Sequence, residues 1–259
     1  MVIGSLFFRR RVPLAFLIAL AFILLVLRSV ADDQIIKKDG TTVAGSIVGV
    51  SNGQVTVETH TSNGGVAKFP ITIADIKSVS MAVPAGVTQA QAPGVAPAAV
   101  IAALEPQIKQ FAGLPADWVV QAMGQLGDAY AAAGQTDRAL ATYNQISQLY
   151  PGSSYENVAK ASKAEVSLNA GKIDEALAIV QPIVDQANKD MAPSPSDGAT
   201  YAKAFLVYGR VLEAQKKPRQ ALEAYLTVKT MFYQNPALVG QADQRAKTLY
   251  DQNPGLGID

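Results

Sequence analysis

The sequence has no cysteine and only one histidine, His60, among its 259 residues. Without cysteine, the chain can form neither disulfides nor thiolate zinc sites, and it has no thiol nucleophile. A catalytic triad would have to use His60, and no convergent set of titratable residues surrounds it in the sequence. We therefore expect a protein that is not an enzyme and that needs neither a metal nor a cofactor.

Positive charge is also scarce outside the N-terminus, although the formal net charge is +1. Residues 1–31 contain no acidic residue and four of the 22 basic residues, namely Arg9, Arg10, Arg11 and Arg28. The rest of the chain has 18 basic and 21 acidic residues, so its formal charge is −3. Nucleic-acid-binding surfaces usually carry the opposite excess, so we expect no nucleic-acid partner.

Residues 1–31 have the three parts of a secretory signal peptide. The arginines at 9–11 precede an uncharged run of 16 residues, Val12 to Leu27, and the small-residue stretch Ser29 to Ala31 follows. Because about 20 apolar residues are needed to span a bilayer, this length favours cleavage. A retained membrane anchor, with residues 12–27 in the membrane, stays the alternative. Either way, we expect the rest of the chain to be exported to the periplasm or to face it from the inner membrane.

A small β domain is predicted over residues 32–81. Val55 and Val57 alternate with polar residues, which indicates a half-buried strand. The pairs Asp39-Gly40 and Asn52-Gly53 are typical of tight hairpin turns. Five strands are expected near residues 34–37, 42–50, 54–61, 66–71 and 77–81. His60, at the end of the third strand, is interpreted as a solvated strand residue.

This region resembles the Sm-like and SH3-like small-barrel families. The matching residues are turn signals and a closing segment: Lys38-Asp39-Gly40-Thr41, Gly45, Asn52-Gly53, and Ala74-Asp75-Ile76 with Val79. The resemblance covers residues 32–81 and implies a five-stranded small β-barrel. Sm proteins bind RNA through loop residues, but here clustered arginines and stacking aromatics are lacking.

Residues 82–98 contain three prolines, two glycines and no charged residue. Proline interrupts both strands and helices, and alanine and glycine offer little surface to bury. We therefore predict a semi-extended linker between the barrel and a helical domain over residues 99–259.

The helical region has a repeated pattern of small and aromatic residues. A glycine where two helices cross lets their backbones approach, and a facing aromatic ring fills the space beside it. The stretch resembles a tetratricopeptide repeat, with six residues on that family's positions: Leu126, Gly127, Tyr130, Ala139, Tyr143 and Pro151. The segment "DRAL" at 137–140 returns as "DEAL" at 174–177 and "RQAL" at 219–222. An alanine-rich bundle with chance similarity is the alternative.

Three units are predicted near residues 120–153, 157–190 and 202–235, followed by a cap helix at 238–252. The second unit departs from the family pattern. Lys160 and Lys163 occupy positions that are usually apolar, and Pro182 is expected to kink or end the second helix of that unit.

The expected fold is thus a multidomain α and β protein: a small five-stranded β-barrel, then an all-α superhelix of about three helix pairs with a capping helix. The resemblance implies that the first helix of each pair lines a concave surface. The candidate partner-binding residues there are Gln121, Asp128, Glu165, Asn169, Lys203, Arg210 and Glu213.

The function expected from the sequence is a non-enzymatic scaffold of the cell envelope that binds a protein partner through this surface. The alternative is a nucleic-acid-binding protein that acts through the Sm-like barrel. A third hypothesis, an enzyme with a site between barrel and helices, lacks a convergent set of titratable groups.

Overall fold

The computed structural model describes residues 32–61 and 63–256. From Asp33 onward, the described residues form one compact unit. The predicted signal peptide or anchor, residues 1–31, lies outside the described residues and stays a prediction. Within the described ranges, none of the helices has both the length and the apolar character that crossing a membrane requires.

Five antiparallel strands form one sheet at the start of this unit. They are β1 (Asp33–Lys37), β2 (Thr42–Ser51), β3 (Gln54–His60), β4 (Val66–Thr72) and β5 (Ile76–Ser80). Their order across the sheet is β4-β3-β2-β1-β5. Every boundary lies within one residue of the position predicted from the sequence, so the five-stranded fold is confirmed.

The long strand β2 holds the two halves of the sheet together. Its first half pairs with β1, from Thr42 to Gly45, and its second half pairs with β3, from Ser46 to Ser51. The β2–β3 turn places Asn52 at φ 49° and Gly53 at φ 73°, as a tight two-residue hairpin requires. Alternate side chains of β3, including Val55 and Val57, are buried in the sheet's core.

Nine helices follow in the described part of the chain. They are α1 (Ala85–Ala90), α2 (Pro97–Phe111), α3 (Asp117–Ala132), α4 (Thr136–Leu149), α5 (Ser154–Asn169), α6 (Ile173–Ala187), α7 (Pro195–Ala214), α8 (Pro218–Met231) and α9 (Pro236–Gln252). Helices α3–α4, α5–α6 and α7–α8 form three consecutive pairs that pack on each other, and α9 packs on the last pair. The predicted helix pairs and capping helix are confirmed.

The segment predicted as a semi-extended linker differs from that expectation. Residues 85–90 form helix α1, which packs on α2, and Val87 is completely buried. Pro84 and Pro97 stand at the starts of α1 and α2, where a missing N–H costs no hydrogen bond. The segment predicted as a spacer therefore contains a short helix, in which Val87 and Ala90 are buried while most residues between 82 and 98 stay exposed.

The sheet and the first helices share one hydrophobic core. A single buried cluster includes Ile35 and Val55 from the sheet, Val87 from α1, and Leu104 and Phe111 from α2. The Phe111 ring meets Trp118 of α3 edge-on, with centroids 5.5 Å apart. At the rim, the Gln110 amide Nε2 donates to the carbonyl of Val48, at 2.9 Å. The small β-fold is thus continuous with the first helix pair.

Within the first and third pairs, the helices approach most closely at a glycine. A Cβ atom placed on Gly127 would lie 2.5 Å from the Tyr143 ring, and one on Gly209 would clash with the Tyr225 ring in the same way. At the corresponding positions of the second pair, Ala164 and Val180 are both completely buried in one hydrophobic cluster. A larger residue on one helix is thus accompanied by a smaller one on the other, which preserves close packing.

The turn inside each pair has the same hydrogen bonds in all three units. In the first, the N–H of Gln135 donates to the carbonyl of Tyr130, and the equivalent bonds join Lys172 to Ser167 and Lys217 to Leu212. This is the Schellman arrangement, in which one residue takes a left-handed conformation. That residue is Gly134 (φ 72°), Gly171 (φ 78°) and, in the third unit, Lys216 (φ 59°).

Two prolines lie inside helices without ending them. Helix α2 continues through Pro106, and α6 continues through Pro182 to Ala187. Of the two outcomes expected for Pro182, a kink or an end of the helix, the structure contradicts the end. Ile183 and Val184, which follow the proline, are buried against the neighbouring helices, and this packing holds the last turn in place.

The contact between Gly127 and Tyr143 predicts a large effect of one methyl group. Gly127→Ala should lower the free energy of unfolding by about 1–3 kcal/mol, because the new Cβ overlaps the ring. Gly124→Ala, on the same helix with open space around it, is the matched control. It should raise the free energy of unfolding by about 0.5–1 kcal/mol through helix propensity. Urea denaturation of both variants measures the difference, and equal effects would contradict the packing described.

Lys216 predicts a gain in stability on substitution by glycine. A left-handed conformation costs an ordinary residue about 1–2 kcal/mol, part of which the entropy of glycine in the unfolded chain offsets. Lys216→Gly should therefore raise the free energy of unfolding by about 0.5–1 kcal/mol. Gly134→Ala, at the equivalent turn, should change it in the opposite direction. A loss of stability in Lys216→Gly, again measured with urea, would refute this account.

Candidate interaction groove

The first helices of the three pairs lie side by side and form the floor of a groove. Helix α5 packs on both α3 and α7, and α9 continues the row beside α7. The second helices, α4, α6 and α8, pack on the other side of this row. Four neighbouring depressions, of about 350, 420, 410 and 390 Å³, follow the row from α3 to α9.

Six of the seven predicted partner-binding residues line these depressions. Gln121 and Asp128 face the first, and Asp128 is shared with the central depression of about 410 Å³. Glu165, Asn169 and Lys203 also line that central depression. Glu213 lines the last one, between α7 and α9. Arg210, the seventh, contacts two of the others directly.

Helices α5 and α7 are joined across the groove by charged and polar contacts. The Arg210 guanidinium donates from Nη1 to Glu165 Oε1 and from Nη2 to Asn169 Oδ1, both at 2.6 Å. The Lys203 ammonium of α7 donates to the hydroxyl of Ser162, which lies one turn before Glu165 on α5. The Arg210 side chain is only 18% exposed, and its bond to Glu165 is partly buried, whereas its bond to Asn169 is exposed. Together with the Lys203 bond, these charge-assisted bonds link the two helices.

In the first and third pairs, the tyrosine that packs on glycine also reaches the groove. The Tyr143 hydroxyl donates to Asp128 Oδ1 at 2.6 Å, and the Tyr225 hydroxyl donates to Glu213. Arg245 of α9 approaches the same carboxylate of Glu213, at 3.5 Å. A core side chain of the second helix thus orients an acidic side chain on the first.

These tyrosine hydroxyls remain protonated donors at neutral pH. Burial, followed by the nearby charge of Asp128, raises the pKa of Tyr143 above its usual range. Burial, followed by the hydrogen bond to Glu213, raises the pKa of Tyr225 in the same direction. A hydroxyl whose pKa is raised from about 10 stays protonated at neutral pH, so each tyrosine acts as a hydrogen-bond donor that orients the carboxylate.

The structure adds groove residues that the sequence did not single out. Tyr155 and Val158 of α5 line both the first depression, beside α3, and the second, beside α7 and α9. The Tyr155 hydroxyl also accepts a hydrogen bond of 3.0 Å from Gln121 Nε2. Leu238 and Gln241 of α9 line the central depression. Treating the cap helix as a fourth first helix would have identified the last two from the sequence.

Neither His60 nor a metal site contributes to this surface. His60 is exposed at the end of β3, as predicted. Across residues 32–61 and 63–256, histidine, aspartate and glutamate do not gather into a group of three or more that could hold a metal ion. The charged residues of the groove instead form separate pairs along its length.

Comparison with known proteins supports the assignment of the repeat. Residues 121–153 match the family model of the tetratricopeptide repeat, which confirms the predicted repeat there. Two crystal structures of nearly identical TPR-like repeats, assigned to a kinesin light chain from Podosopora anserina, also match. One is 19% identical, covers 66% of this chain and 86% of its own, and has a TM-score of 0.44. The other, a point variant, is 18% identical and covers 62% and 79%, with a TM-score of 0.40. A search of curated proteins found no match.

The Arg210 contacts predict a measurable loss of stability on truncation. Arg210→Ala leaves Glu165 and Asn169 without their donor, and should lower the free energy of unfolding by about 1–3 kcal/mol. Arg219→Ala, which removes an exposed arginine at the start of α8, should stay within about 0.5 kcal/mol of the parent. Urea denaturation at moderate salt compares the two. Similar values for both would show that the contacts across the groove add no stability.

Proposed function

We propose that this protein is a non-enzymatic scaffold of the bacterial cell envelope whose groove binds a segment of a partner protein. Tetratricopeptide repeats are interaction modules, and the repeat match at residues 121–153 supports this class of function. The observation that carries the proposal is the alignment of six predicted residues along one row of depressions.

The groove combines apolar surface with polar groups whose positions are fixed. Val158 and Leu238 offer apolar contacts, and Tyr155 lies between two depressions. Around them, the carboxylates of Asp128, Glu165 and Glu213 are held by bonds within the protein. A partner segment would therefore gain most of its affinity from apolar contacts, while the fixed polar groups would select its register and orientation.

The envelope location in this proposal rests on the amino-acid sequence of residues 1–31. A basic head, an uncharged run over Val12 to Leu27 and a small-residue exit direct a chain to the export machinery. With the groove outside the cytoplasm, its partner would be another exported or membrane-bound protein.

Site-specific photocrosslinking in intact cells tests the groove as the partner's binding site. A photoreactive amino acid at Gln241, which is exposed in the central depression, should form a defined adduct with an envelope protein. The matched control is Gln148, exposed on α4 on the outer side of the row. It should not form that adduct, because the partner would contact the first helices only.

The same cells also test the location. After fractionation, the adduct should be found with periplasmic or membrane proteins. An equal yield of the adduct at both positions would refute groove binding. Recovery in the cytosol, with ribosomal or nucleic-acid-associated proteins as the crosslinked species, would refute the envelope scaffold.

A further inference from the structure

A separate cavity lies behind helix α5, on the side away from the groove. Its volume is about 450 Å³. We call it the lysine cavity and define it by residues of α4, α5 and α6 that line it: Asn144, Lys160, Lys163, Ala178, Ile179 and Pro182. At about 100° per residue, Lys160 and Lys163 lie about 140–200° around the helix from the groove residue Val158. The lysine cavity therefore does not open into the groove.

The cavity exists where the second repeat departs from the other two. The positions of Lys160 and Lys163 correspond to Met123 and Leu126 in the first pair, both of which are buried. In the third pair, the residue equivalent to Lys160 is the buried Phe205. Apolar side chains fill the space between the helices in those pairs. In the second pair, the two lysines line an open space between the helices.

One of these ammonium groups lacks an acidic partner. Lys160 pairs with Glu156 on the same helix, at 2.8 Å. The Lys163 ammonium donates to the side-chain oxygen of Asn144, at 2.9 Å, and no ion pair of Lys163 occurs within the described ranges. A carboxylate that reached Lys163 would therefore meet a cation that makes no ion pair within the described ranges.

Helix α6 adds an acceptor to the same cavity. Pro182 has no N–H, so the carbonyl of Ala178, four residues earlier, lacks its usual helical donor. Ala178 and Pro182 both line the cavity, and Ile179 adds apolar surface beside them. The cavity therefore presents cationic donors, a backbone acceptor and an apolar wall within one space.

We propose that the lysine cavity binds a peptide segment of a protein partner in which an acidic residue neighbours an apolar one. The carboxylate accepts hydrogen bonds from Lys163 and Lys160, and a backbone N–H of the peptide donates to the carbonyl of Ala178. The apolar side chain lies against Ile179. This complementarity of charge and hydrogen bonding selects an acidic peptide, and the site does not depend on the groove or its proposed function.

Peptide selection on the full chain tests this assignment. Random peptides displayed on phage are bound to the parent protein and counter-selected on the variant Lys160→Ala/Lys163→Ala, which removes peptides that bind the groove. The surviving sequences should share an aspartate or glutamate beside a large apolar residue. A synthetic, fluorescently labelled copy of a selected peptide should bind the variant about tenfold more weakly than it binds the parent. A second peptide, in which Asn or Gln replaces the acidic residue, should bind the parent about tenfold more weakly than the acidic peptide does.

Two further variants separate loss of the site from loss of charge or fold. Lys189→Ala/Lys247→Ala removes the same charge from exposed positions outside the cavity, and should bind the peptide as the parent does. Lys160→Leu/Lys163→Leu restores apolar residues as in the other repeats. It should raise the melting temperature by a few degrees, about 2–4 °C per kcal/mol gained, while binding is lost.

Several results would overturn the proposal. In the first, no acidic peptide survives the counter-selection. In the second, the acidic and amide peptides bind the parent equally well. In the third, the acidic peptide binds Lys160→Leu/Lys163→Leu as tightly as it binds the parent. A monomer–dimer equilibrium that the same double leucine variant abolishes would assign this face to a second copy of the chain, and would also overturn it.

Discussion

The contact between a glycine on one helix and a tyrosine ring on the next determines both the packing and the chemistry of this protein. Gly127 lets the ring of Tyr143 approach its backbone, and the hydroxyl of that ring then meets Asp128, the next residue along the helix. In the third pair, Tyr225 packs on Gly209 and holds Glu213. A substitution that spoiled the packing would therefore also release a carboxylate on the groove surface.

The second pair shows what happens when that tyrosine is missing. Val180 stands at the corresponding position and carries no hydroxyl, so it cannot donate to Glu165 as Tyr143 donates to Asp128. Arg210 of the next repeat donates to Glu165 instead, and bonds Asn169 as well. A carboxylate fixed within one repeat in the first pair is thus fixed between two repeats here. The departure from the family pattern converts a local contact into a link between neighbouring units.

Both ends of the helical row are covered. At the N-terminal end, α1, α2 and the sheet bury the apolar face of the first pair in a common core. At the C-terminal end, Ala242, Ala246 and Leu249 of α9 cover the last pair. A stack of repeats needs such caps, because each terminal unit would otherwise expose the face that its neighbours bury. The small β-fold therefore serves as part of the N-terminal cap.

The sequence predicted the features that local chemistry determines. Hairpin turns located the strands, and the glycine–aromatic spacing located the helix pairs. It did not predict helix α1 or the burial of Val87, since that burial depends on apolar surface from the sheet and α2. Nor could it predict the bonds of Arg210, which join residues 41 and 45 positions apart. Such contacts depend on how far one repeat is rotated relative to the next.

Helix α5 explains why these distant contacts matter. Its buried residues are all small or polar apart from Val166: Ala159, Ala161, Ser162, Ala164 and Ser167. Little apolar area is removed from water by such a helix, and its back carries lysines where its neighbours carry apolar residues. The bonds from Lys203 and Arg210 to its groove face compensate for this weak core. Helix α5, with few large buried side chains of its own, is thus joined to its neighbour α7 by the same side chains that form the groove.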